Sequence, residues 1–263
     1  MEKLKDKKLF LLDMDGTIYI DNDLFEKVTD FLNYVKRIGG KYMFLTNNSS
    51  KSVDKYIEKL ASLGITAAKD DFMTSTDATI VYLRDFDYKK IYALGTDSFK
   101  KQLSEAGYNI TDKLEDDIDC LCMGFDTSLT FQKLEDACIL LGRGIDYIAT
   151  NPDWVCPTWY GFVPDCGSVS EMLFNATKRR PKFIGKPNPD MIDLAVAQSG
   201  FTKEQAVIFG DRLYTDIASG YNAGIDTVFV LSGEGTMEDL ETSDVKPTYI
   251  FENVRKILDE LKV

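Results

Sequence analysis

Histidine is absent from all 263 residues of this chain. That absence removes Ser-His-Asp hydrolysis, phosphohistidine chemistry and every histidine-ligated zinc or iron site. Cysteine is scarce too: Cys120, Cys122, Cys138, Cys156 and Cys166 are odd in number and lack paired Cys-x-x-Cys spacing. No apolar run approaches membrane-spanning length, and the opening Met1-Glu2-Lys3-Leu4-Lys5-Asp6-Lys7-Lys8 lacks the apolar core of a signal peptide. A reduced, cytoplasmic protein without a membrane partner is therefore expected. Basic residues are outnumbered, 31 Lys and Arg against 43 Asp and Glu, for a net charge of -12. The resulting field repels nucleic-acid polymers and anionic lipid surfaces, yet leaves room for a local positive site that takes a small anion. With 44% hydrophobic residues the chain is able to bury a large core, as one domain or as two.

What the chain has in quantity is alternation. Short apolar runs (Leu9-Phe10-Leu11-Leu12, Tyr42-Met43-Phe44-Leu45, Val207-Ile208-Phe209, Val228-Phe229-Val230) are each followed or preceded by apolar residues at helical spacing. Phe25, Val28, Phe31, Leu32 and Val35 mark one helical face; Val53, Tyr56, Ile57, Leu60 and Leu63 mark the next, stopped by Gly64. A helix from Asp216 to Ala223 is expected before the last of these strands. Such βαβ units predict an α/β fold, a doubly wound, Rossmann-like parallel sheet. A second set of units, with strands at Ile91–Leu94, Cys120–Met123 and Tyr147–Ala149, predicts a small α/β domain of its own. Phe183-Ile184 is expected to resume the first sheet. The organisation that follows is a core of residues 1–79 and 179–263, interrupted by an α/β insert of residues 80–178.

Ligands of open α/β sheets bind beyond the carboxyl ends of the strands, so residues that follow the core strands should converge. The first strand delivers Asp13-Met14-Asp15-Gly16-Thr17, the second Thr46 and Asn47, a turn delivers Gly185-Lys186-Pro187-Asn188, and Val207-Ile208-Phe209 delivers Gly210-Asp211 and then Asp216. Crowded carboxylates resist ionising together unless a cation neutralises them or a reaction uses the raised acidity of one. Carboxylates without histidine form a hard oxygen site suited to Mg²⁺, which ordinarily recruits a substrate phosphate. Lys186 as a point charge, Thr46 as a hydroxyl and Asn47 as an amide then suit a dianionic phosphoryl group. In this scheme Asp13 attacks phosphorus to give an aspartyl phosphate, while Asp15 protonates the departing alcohol and later activates the hydrolytic water. Accelerations of phosphate-monoester hydrolysis reach about 10²¹, so metal, Lys186 and acid must act together.

These residues resemble the haloacid dehalogenase superfamily of aspartate-nucleophile phosphatases, whose pattern is DxDGT, a strand-terminal Thr or Ser, a Lys, and GDxxxxD. All four pieces occur here in that order, as Asp13 to Thr17, Thr46, Lys186, and Gly210 to Asp216. The resemblance makes Asp13 nucleophile and metal ligand, Asp15 acid/base and metal ligand through its carbonyl, Thr46 and Lys186 phosphate binders, Asp211 a metal ligand and Asp216 a supporting acid. Thr46-Asn47-Asn48-Ser49, Gly185-Lys186-Pro187, Thr150-Asn151-Pro152-Asp153 and Gly161 to Gly167 look like the NagD-type branch in particular, over nearly the whole chain. That branch implies an inserted α/β cap, a cytoplasmic location, Mg²⁺ as cofactor and a small phosphorylated metabolite as partner: a nucleoside monophosphate, a sugar or glycolate phosphate, or an aryl phosphate such as 4-nitrophenyl phosphate. A homo-oligomer is compatible with it. Asp165-Cys166 departs from the small residue that many relatives carry at the first position.

Plainer readings stand beside these. Thr46 and Asn47 are ordinary turn residues taken alone, Lys186 sits in a common Gly-Lys-Pro turn, and Asp216 could serve only to open a helix. Arg212 either touches substrate or covers its turn. Trp154, Trp159, Tyr160 and Phe162 form either a platform for a leaving group or part of a core. Among rival functions, a receiver-like phospho-signalling module shares Asp, Thr, Lys and Mg²⁺ but places its acidic pair before the phosphorylated Asp, and a phosphomutase or phosphotransferase shares Asp13 and Asp15 but retains the phosphate.

Overall fold

Four consecutive apolar residues, Leu9–Leu12, are completely buried, the mark of a strand covered on both faces. In the computed structural model, which describes residues 2–158 and 160–262, this run is the strand β1. There follow β2 (Tyr19–Ile20), β3 (Asp23–Leu24), β4 (Lys41–Thr46), β5 (Phe72–Thr74), β6 (Ile91–Leu94), β7 (Ile110–Thr111) and β8 (Cys120–Met123). The later strands are β9 (Asp146–Ala149), β10 (Val155–Thr158), β11 (Gly161–Pro164), β12 (Lys182–Phe183), β13 (Ala206–Gly210), β14 (Asp226–Val230) and β15 (Tyr249–Phe251).

The larger sheet has the order β15-β14-β13-β1-β4-β5. Leu9 to Leu12 pair in parallel with Ala206 to Phe209 on one side and with Lys41 to Phe44 on the other. The strand order reverses beside β1, so the chain leaves β1 and β13 in opposite directions and opens a crevice at their carboxyl ends. Helix Val28–Arg37 buries Val28, Phe31, Leu32 and Val35. Phe31 packs edge-on to Phe10 at 5.7 Å between centroids and against Phe209 at 5.6 Å, locking helix to sheet.

The chain forms two compact units. The first is Met1–Thr46, Tyr56–Met73 and Lys186–Val263; the second is Asn47–Lys55 and Thr74–Gly185, which contains the expected insert 80–178. The second unit also holds helix Ser75–Leu83, tied into it by bonds from Ser75 Oγ to Asn47 O (2.7 Å) and from the Tyr108 hydroxyl to Ile80 O (2.9 Å). Its sheet has the order β12-β9-β8-β6-β7, and Cys120 and Cys122 are buried in β8 as unpaired thiols. Two expectations are corrected. Phe183 does not resume the first sheet: β12 pairs with β9, Lys182 against Ile148 and Phe183 against Ala149. A two-residue strand carries no local signal of which sheet it joins. Asp216 does not open a helix either, because it lies inside a π-helical turn, Leu213–Ile217, that precedes helix Ala218–Ala223. Among the described residues no helix is long and apolar enough to cross a membrane.

A buried polar lattice runs through the second unit. Asp153 Oδ2 accepts from Asn47 Nδ2 and from Asn151 Nδ2, both at 2.7 Å, and Asn151 Nδ2 also reaches Asp165 Oδ1 at 3.1 Å. Burial first, and then the neighbouring Asp153 charge, push the Asp165 carboxyl up to about 7, against the bonds that it accepts from Cys166 and Asn151. An unfolded aspartate titrates near 3.9. Between those values the folded chain keeps a proton that the unfolded chain has lost, so this group's contribution is complete below about pH 4 and is lost as pH rises toward about 7. Asp165→Asn should therefore lose less thermal stability than the parent between pH 5 and pH 8, as read by melting curves at the two values. Identical pH slopes for both proteins would contradict this.

Candidate active site

Asp13 leaves β1 with its amide bonded to Phe209 O at 2.9 Å, and the chain turns back at once, Thr17 and Ile18 donating to Met14 O at 3.2 and 3.0 Å. Gly16 sits at φ +86°, and a Cβ there would collide with the Asp211 carboxylate. Both the backbone conformation and the close approach therefore demand glycine in the Asp-Gly-Thr sequence. Asp211 follows β13 and receives the Glu234 amide at 2.6 Å on Oδ2, with Gly233 pressed against it. Its Oδ1 is buried without a hydrogen-bond partner.

Lys186 is the hub of the site. Its Nζ lies 2.5 Å from Asp13 Oδ1, 2.6 Å from Asp216 Oδ1 and 3.2 Å from Leu45 O, and the residue is 2% exposed. Asp216 Oδ2 is fixed by the Arg212 amide at 3.2 Å. Thr46, buried, ends β4 one residue after that carbonyl. Asp13, Asp211 and Asp216 each offer an oxygen, all within 4.8 Å of one another.

The electrostatics of this cluster are unbalanced. Burial, then Asp216, raise the Asp13 carboxyl well above the usual range, with Lys186 pulling the other way. Burial and Asp216 likewise push Asp211 up to about 7 against the Arg212 charge. Burial by itself would lower the Lys186 ammonium, but Asp13 and Asp216 outweigh it and hold the pKa above its ordinary value. Three carboxylates against one buried ammonium leave an excess of negative charge, and one buried carboxylate oxygen still lacks a partner. A divalent cation relieves both, and an all-oxygen donor set suits a hard cation such as Mg²⁺. The residues present fit such an ion.

Of the residues expected around a metal, Asp13 and Asp211 come together, and the third carboxylate of the cluster is Asp216. The Asp15 carboxylate, expected as acid/base with only the carbonyl of Asp15 toward the metal, lies 3.7 Å from Lys59 Nζ, with 39% of its side chain exposed. Asn47 belongs to the second unit, where its amide donates to Asp153. Arg212 pairs through Nε with Glu234 Oε2 at 2.7 Å. Trp154, Tyr160 and Phe162 are exposed in the second unit, and Trp159 lies outside the described residues. Sequence reasoning passed over Gly233 and Glu234, although Leu231-Ser232-Gly233-Glu234-Gly235 follows β14 and the strand-end rule that located Asp211 applies to it equally. Lys59 carried no signal beyond its place in helix Val53–Ser62.

The chain is similar to known proteins over nearly its whole length. A family model described as haloacid dehalogenase-like hydrolase matches residues 10–109, and a second, described as HAD-hydrolase-like, matches residues 183–257. An acid sugar phosphatase of Staphylococcus haemolyticus is 33% identical over 98% of both chains. The crystal structure of a 4-nitrophenylphosphatase from Thermotoga maritima superimposes with a TM-score of 0.92 at 40% identity, covering 99% of this chain and 98% of that one. NagD from E. coli K-12 superimposes with a TM-score of 0.85 at 31% identity, covering 94% and 97%.

Proposed function

The chain belongs to the haloacid dehalogenase-like hydrolases and is a phosphatase, and from that premise we propose that it hydrolyses small phosphate monoesters through an aspartyl-phosphate intermediate with Mg²⁺ as cofactor. The observation that carries this reading is the Lys186 ammonium held between Asp13 and Asp216 at the ends of β1 and beside β13. Asp13, exposed enough to meet a substrate, forms the new bond to phosphorus as the ester P–O bond breaks. Asp15 gives its proton to the departing oxygen. In the second half Asp15 takes a proton from water, whose oxygen displaces the Asp13 carboxylate from phosphorus and releases inorganic phosphate. Thr46 and Lys186 hold the non-bridging oxygens throughout.

Asp13 and Asp211, with the Asp15 carbonyl, would hold Mg²⁺, and Asp216 would support the set. When bound, the ion supplies positive charge to the phosphoryl oxygens. The working location is the cytoplasm and the substrate a small phosphorylated metabolite. The names of the relatives favour sugar and aryl phosphates, with nucleoside monophosphates in the same class. The test is phosphate release across such a panel, with and without Mg²⁺. Removing divalent ions with a chelator should bring turnover to background and adding Mg²⁺ should restore it. Undiminished turnover in the chelated enzyme would exclude the metal role, and no turnover on any monoester would exclude the function.

A further inference from the structure

Asp15 has neighbours that the chemistry above does not use. The turn after β1 closes by a bridge between Asp15 and Tyr19, with the Gly16 amide donating to Tyr19 O at 2.8 Å, so the Tyr19 side chain is brought back beside the Asp15 carboxylate. The Tyr19 ring is completely buried and so cannot swing away. Helix Val53–Ser62 then lays Lys59 across that ring, its Nζ 3.6 Å from the centroid and 3.7 Å from Asp15 Oδ1. A lysine on a flexible four-carbon stem is ordinarily a poor positioning group. Here the face of a fixed aromatic ring attracts the ammonium and limits where it rests.

The pair contributes little as a stability device, because Lys59 is 20% and Asp15 39% exposed in their side chains, and partly solvated ion pairs are weak. The Asp15 carboxylate does not join the cluster of Asp13, Asp211 and Asp216, and an ion-pair contact reaches it from a separate helix. We propose that Lys59, seated on Tyr19, is a positioning residue that aims the Asp15 carboxyl at the leaving-group oxygen. The proposal rests on the acid role given to Asp15 above.

A positioning role is separable from a structural one by the leaving group. Departure of 4-nitrophenolate needs little help from an acid, whereas the more basic phenolate needs the proton, and kcat/KM reports only the steps up to leaving-group departure. In the full-length Mg²⁺-loaded enzyme, Lys59→Met should lower kcat/KM about 10-fold for phenyl phosphate, a share of the ~10²- to 10⁴-fold that a positioned acid contributes. For 4-nitrophenyl phosphate the fall should be less than about 2-fold on the same reasoning. Lys59→Arg, which keeps a cation able to stack on the ring, should recover most of the loss, and melting temperatures should barely move. Asp15→Asn, measured in parallel, should show the same dependence more steeply. If Asp15→Asn shows it and Lys59→Met lowers both substrates equally, or neither, the positioning role is wrong while the acid role stands. If Asp15→Asn itself does not discriminate, the acid role fails and the role of Lys59 fails with it.

Discussion

Asp13→Asn is expected to reduce phosphate release by about 10⁴-fold or more, the scale seen when a covalent nucleophile is removed from machinery that acts as a unit. The amide has nearly the shape of the carboxylate, so the Lys186 contact to Asp216 and the Asp211 loop should persist. Lost activity would then report lost chemistry. The same substitution should raise the melting temperature of the metal-free protein, because burial and the Asp216 charge make an ionised Asp13 costly there. Higher stability combined with negligible turnover distinguishes a nucleophile from a scaffold residue. A variant that keeps full phosphatase activity would exclude Asp13 as the attacking group, and one that loses activity together with its fold would leave melting temperature, not turnover, as the property at stake.

Lys186→Met should be the most destabilising single change in the site. Its side chain is 3% exposed, and its ammonium contacts Asp13 and Asp216, which are 15% and 1% exposed in their side chains. Removing one partner of a buried ion pair costs about 3–5 kcal/mol, because the remaining charge is left without compensation. Here two carboxylates are left facing each other, while the Leu45 carbonyl also loses a donor. Turnover should fall to near background, since the point charge proposed to hold the phosphoryl oxygens is gone. Lys186→Arg separates charge from geometry: it should recover part of the stability measured by chemical or thermal unfolding, yet little activity, because a planar guanidinium cannot place a single compact charge where both Asp13 and Asp216 converge. Equal stability of Lys186→Met and the parent would show that the ammonium does not offset those carboxylates.

Part of this architecture is legible in the sequence. Leu9–Leu12 is apolar at every position because a central parallel strand is covered on both sides, and a run of that kind announces itself. Once the strands were placed, the rule that ligands gather at their carboxyl ends pointed to Asp13, Thr46 and Asp211. The same rule, applied to β14, would have reached Gly233 and Glu234, whose amide and tight approach hold the Asp211 carboxylate. The membership of β12 in the second sheet was not readable, since two residues are too few for a period and apolar character suits either sheet. The π-helical turn around Asp216 was not readable either, because its one-residue widening leaves the apolar pattern almost unchanged.

By itself the sequence determined which residue types were available: no imidazole, an aspartate pair at a strand end, a lysine before a proline, and an alternation that required a parallel α/β sheet. Those properties are local or periodic, and a linear text records them. Tertiary structure decided which carboxylate answers which cation. Lys186 met Asp13 and Asp216, 173 and 30 residues away, while Lys59 took Asp15. Periodicity reports whether a side chain faces inward and is silent about what it faces. Partners at such separations are selected when sheet order and helix placement fix distances of a few ångströms, and only at those distances do charge and hydrogen bonding discriminate one acid from another.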